Sequence, residues 1–204
     1  MKILILGDSW CADWSVKYPE SVCWPSQLKQ KHTVTNCAQA GVSQYQVCQQ
    51  LKHTDPEQYD AVIFGVTSPN RLYSPSNPIH STDPLHADCD LIYADLVHHR
   101  NSGNTDPRIL SAIKFYQHHW DQQHAVFQHQ LQVEWCLARL NPENTLVTSM
   151  ITYSLNCVPP CWHTLDVADL KTQYPGDQHH LSEQGNQIAL NSITDWLRSN
   201  IRCA

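Results

Sequence analysis

The sequence predicts an α/β fold, a three-layer α/β/α sandwich around a central parallel sheet of about five strands. Short apolar runs rich in β-branched residues alternate with longer stretches of helical periodicity. One run, residues 59–64, is continuously apolar rather than alternating, as expected of a parallel strand covered on both faces. Glycine is scarce, six in the chain, yet Gly7, Gly41 and Gly65 each fall just after a predicted strand.

Residues 2–6 form the first predicted strand, ending at Gly7. Residues 19–31 read as a helix with Val22, Trp24 and Leu28 on its apolar stripe. A second strand over 32–37 runs into Ala40-Gly41, and Ser43 is placed to cap a helix through about Leu51. The third strand is the apolar run that ends at Gly65. Residues 69–106 are rich in Pro, Ser, Asn, Asp and His and read as a long excursion, with a short helix around 90–98. Residues 107–140 carry one long helical pattern, opened by Pro107. A fourth strand follows at 144–150, then a mostly irregular stretch at 166–176 with room for a short helix. The last helix covers 182–201, with Ile188, Ile193, Trp196 and Leu197 facing in.

At 204 residues the chain suits one domain, 1–204, with a core of its own. The formal net charge of −6 offers no basic field for a nucleic-acid partner. No run of about 18 apolar residues appears, so no membrane span is expected. The run from Ile3 to Leu6 is too short for a signal-peptide core. The nine cysteines are odd in number and scattered, which reads as reduced thiols and a cytoplasmic location. Cys157 and Cys161 flank a Pro-Pro loop without a metal or redox pattern. His119, His124 and His129 are spaced by five, which turns successive side chains of one helix apart. The thirteen histidines therefore read as polar surface, with no metal and no cofactor expected.

In an open parallel sheet, ligands bind beyond the carboxyl ends of the strands. The three post-strand glycines mark that edge, because glycine serves where backbone turns sharply or approaches a ligand. Ser9 sits there, and a serine hydroxyl needs a base to become a nucleophile. His180 is the candidate base, with Asp177 three residues earlier to orient the imidazole and stabilise its charged form. His179 is the neighbouring alternative, but the spacing from Asp177 favours His180. Trp10 is placed to line an acyl or sugar pocket or to join the core, and Arg71 to bind an anionic group or to sit in an ion pair.

Gly7-Asp8-Ser9 after the first strand resembles the opening block of the SGNH (GDSL-like) hydrolases. Gly41 resembles the second block, and Asp177-Gln178-His179-His180 before the last helix resembles the Asp-x-x-His block. This resemblance spans the scaffold and implies a flavodoxin-like sheet with a Ser9–His180–Asp177 triad. It implies an oxyanion hole from the backbone N–H groups of Ser9 and Gly41 and a third donor. The family usually has Gly-x-Asn-Asp after the third strand, whereas here Gly65-Val66-Thr67-Ser68 stands. Thr67 takes the asparagine position, with Asn70 as the alternative donor. Loss of one such donor typically costs about 10²–10³ in kcat.

The resemblance implies a serine esterase acting on a small-molecule or carbohydrate ester, such as an O-acetyl or short acyl ester. Two rival readings share the fold: a catalytically weak binding or assembly module, and an acyltransferase using the same triad. A phosphate-binding α/β protein would want more glycine in its first loop.

Overall fold

The computed structural model describes residues 1–80, 85–176 and 180–201. Five strands form one all-parallel sheet: β1 (Lys2–Leu6), β2 (Thr33–Asn36), β3 (Ala61–Gly65), β6 (Thr145–Ser149) and β7 (His163–Asp166). Their spatial order is β2-β1-β3-β6-β7, the flavodoxin-like order. The registers Ile3↔Val34, Ile3↔Ala61 and Val62↔Thr145 bring the ends of β1, β2, β3 and β6 level at one edge.

Helices cover both faces of the sheet. On one, Ile3, Ile5, Ile63 and Leu146 pack against α1 (Trp24–Lys29) and α7 (Glu183–Asn200) through Trp24, Leu28, Ile193 and Leu197. On the other, Leu4, Val62, Phe64 and Val147 meet α2 (Gln44–Lys52) and α5 (Gln122–Leu137) through Val47, Leu51, Val133 and Cys136. Successive strand residues thus feed opposite cores, which is why the central strands are apolar throughout. The described cysteines are free thiols. Among the described residues no helix is long and apolar enough to cross a membrane.

The excursion folds over the carboxyl edge. A two-stranded antiparallel pair, β4 (Arg71–Leu72) with β5 (Leu91–Ile92), leads into α3 (Tyr93–Asn101). The expected helix over 107–140 is instead two: α4 (Pro107–His118) and α5. Asp121 makes the break, because its side chain accepts the His124 N–H and starts a new helix. The helix expected from 19 begins at Trp24, where Pro25 holds a first-turn position. A short α6 (Ala168–Gln173) occupies the stretch before Gly176.

Candidate active site

The loop after β1 is built for a sharp turn. Gly7 has φ of 147°, and a Cβ there would lie 3.0 Å from the Gly65 Cα of the neighbouring strand. The Gln50 amide clamps this peptide: its Oε1 accepts the Gly7 N–H at 2.8 Å and its Nε2 donates to the Gly7 carbonyl at 3.0 Å. Asp8 is buried. Its carbonyl accepts the N–H groups of Cys11 and Ala12, and its Oδ1 accepts the Trp10 N–H, so the turn is closed around it.

The turn leaves Ser9 half-buried at the sheet edge. Ser9, Gly41, Arg71 and His180 line one cavity of about 590 Å³. Ser9, Trp14 and His180 also line a second, of about 610 Å³, together with Trp10. The Trp14 indole N–H donates to the Ser9 carbonyl at 2.8 Å, and its ring meets the His180 imidazole edge-on at 4.9 Å. One tryptophan therefore braces the backbone of the candidate nucleophile and the ring of the candidate base. The His180 carbonyl accepts the Gly176 N–H, and Ser182, two residues on, caps α7 through the Gly185 N–H. Burial pulls the His180 pKa down to about 4; Asp8 opposes this, while Arg71, Lys171 and His86 add to it. The imidazole is thus neutral at pH 7, as a base must be. Asp177, the expected third member, lies outside the described residues, as does His179.

Gly41 has φ of 77°, and a Cβ there would overlap the Cys89 thiol. The chain therefore needs glycine at this point of the cavity wall for backbone and space alike. Trp10 lies mainly in the core, 4% exposed, donating its indole N–H to Thr148 Oγ1.

The third block is arranged differently from the expectation. Thr67 is fully buried, and its hydroxyl lies 3.0 Å from Asp8 Oδ2 and 3.2 Å from the Val42 carbonyl, both of them acceptors. Its single proton is committed beneath the site, so Thr67 does not supply an oxyanion donor. Asn70 does not replace it: the side chain is exposed and the residue is not on the walls of either Ser9 cavity. Arg71 shares the acceptors of Thr67. Its Nη1 sits 2.8 Å from Asp8 Oδ2 and 2.7 Å from the Val42 carbonyl, with the side chain on the cavity wall. Of the two roles expected for Arg71, the structure shows the ion pair, made with a buried carboxylate rather than at the surface.

Sequence reasoning missed the contribution of the excursion. His80, His86, Asp95, His98 and His99 all lie on the wall of the Ser9–His180 cavity, so these partly exposed polar side chains surround the site rather than being scattered over the surface. The density of histidine between 80 and 99 was the available signal. It also missed Asp8 as the hub joining Thr67 and Arg71 and His129 as a buried group, 5% exposed, bonded to the Thr67 carbonyl at 2.8 Å. Among the described residues no three His, Cys, Asp or Glu side chains converge as a metal site. No family model and no curated protein matches the chain.

Proposed function

We propose that this chain is a serine hydrolase of the SGNH type that cleaves a small ester, such as an O-acetyl or short acyl group on a carbohydrate. The observation that carries the reading is the meeting of Ser9, Gly41 and a neutral His180 on one cavity wall. In the proposed reaction His180 takes the Ser9 hydroxyl proton as Oγ attacks the ester carbonyl. The backbone N–H groups of Ser9 and Gly41 receive the oxyanion. Collapse expels the alcohol, which takes the proton back from His180. Water, deprotonated by His180, then attacks the acyl-enzyme, releasing the acid and restoring Ser9. Asp177 is the proposed orienting carboxylate. A cytoplasmic location and a small-molecule or carbohydrate ester as substrate belong to the same proposal.

The commitment of the Thr67 hydroxyl to Asp8 and Val42 favours a second reading, a slow or non-catalytic module on the same scaffold. One experiment separates them. A serine-directed fluorophosphonate is expected to label the wild type and not Ser9→Ala, with p-nitrophenyl acetate turnover lost in Ser9→Ala and His180→Ala. An unlabelled, folded wild type would sink the hydrolase reading. Labelling with slow hydrolysis that accelerates on adding an acceptor alcohol would mark an acyltransferase.

A further inference from the structure

On the far side of Arg71 from Ser9 lies a third concavity, of about 640 Å³, within the roughly 300–1,000 Å³ typical of small-ligand sites. Arg71 belongs to both walls. The groove is built from four parts. The start of α2 supplies Gln44 and Tyr45, β4 and its extension supply Arg71 and Tyr73, and the end of α4 supplies Phe115 and His119. One face of α5 supplies His124, Gln128 and Gln132, spaced by four so that they stack along the helix about 6 Å apart. His119 joins them only because the helix breaks before Asp121, which cancels the rotation a continuous helix would impose.

Its lining combines aromatic faces with amides and little free charge. Tyr45, Tyr73 and Phe115 are 38%, 43% and 39% exposed, a concentration of solvent-facing aromatic surface in one hollow that marks a binding site. The Tyr45 and Tyr73 rings stand 4.6 Å apart at 55°, and Trp120 lies against Tyr116 at 4.9 Å. The two fully charged residues are engaged elsewhere: Arg71 with Asp8, and Asp121 as the cap of α5. Gln44 is buried and forms the floor, its Oε1 accepting the Thr67 N–H at 3.1 Å, which leaves Gln128 and Gln132 as the amides that face the groove.

We propose that this groove is a saccharide-binding site for a neutral glycan, separate from the Ser9 cavity. A sugar ring presents C–H faces to aromatic rings and hydroxyls that both donate and accept. Glutamine amides likewise both donate and accept, whereas a proline-rich strand would bring acceptors alone to them. Two engaged charges give an anionic ligand no free anchor. The site stands independently of the catalytic reading, because it uses neither Ser9 nor His180.

The test is calorimetric titration of the full chain with xylotetraose, cellotetraose, tetra-N-acetylchitotetraose and maltotetraose, and with a proline decamer. At least one tetrasaccharide is expected to bind saturably, with equal affinity for Ser9→Ala. Tyr73→Ala and Trp120→Ala, both checked for an unchanged urea midpoint, are each expected to weaken it at least about tenfold. Tyr153→Ala, an exposed aromatic outside the groove, leaves it unchanged. Failure of all four sugars to bind at about 10 mM overturns the proposal. So does binding that neither groove substitution weakens, or binding of the decamer in preference to every sugar.

Discussion

The Asp8–Arg71 pair is the residue on which the site turns. Both side chains are close to nine-tenths buried, and the carboxylate also receives the Thr67 hydroxyl and the Trp10 N–H. Removing one charge strands the other, which costs about 3 kcal/mol or more. Asp8→Asn is therefore expected to lower the urea-unfolding free energy by that amount, and a loss under about 1 kcal/mol would mean that the pair is not desolvated. Gly-Asp-Ser was visible in the sequence as a block, but the meeting of Asp8, Thr67 and Arg71 was not, since the three depend on a pairing of β1 with β3. Two histidines make stability depend on pH. Burial lowers His129 and His180 to about 4 from an ordinary value near 6.5. Between these values the unfolded chain binds protons that the folded chain refuses, so stability is full above about 6.5 and falls as pH drops towards 4. The urea midpoint is expected to decline across that window. His129→Gln, which keeps a donor for the Thr67 carbonyl, should make the decline shallower; an unchanged slope would remove His129 from the account.

Elements were legible where apolar pattern dominated. The first four predicted strands lie within two residues of β1, β2, β3 and β6: β1, β3 and β6 carry buried runs, whereas β2 is a half-exposed edge strand legible from its β-branched Thr33-Val34-Thr35. The fifth, β7, was not read: three of its four residues are exposed, so an edge strand of this kind carries no burial pattern. The break between α4 and α5 escaped because apolar periodicity continues past it, and only the capping chemistry of Asp121 records the new start. Asp121→Ala is expected to fray α5 and cost about 1 kcal/mol. The same loss is expected for Ser182→Ala at α7, whose Oγ accepts the Gly185 N–H. There the first turn follows His180 directly, so ester turnover should fall more than stability does. A variant with full turnover would separate the cap from the site.

At the scale of the molecule, the sheet and its two cores were readable from periodicity, while the loops that close the carboxyl edge were not, because polar segments fold by specific hydrogen bonds rather than by pattern. Phe64 lies fully buried in the core shared with α2 and α5. Phe64→Ala is expected to cost about 3–5 kcal/mol, and a smaller loss would mean that the helices close over the gap. The all-parallel order has a consequence for the chain during its synthesis. No two strands of the main sheet are joined by a hairpin, and one edge of β3 waits for β6, with Val62 pairing to Thr145. A ribosome adding roughly 5–20 residues per second leaves that apolar edge uncovered for several seconds. The period of greatest risk for this protein is thus on the ribosome, when half a sheet exists with an open side and the strand that seals it has yet to be made.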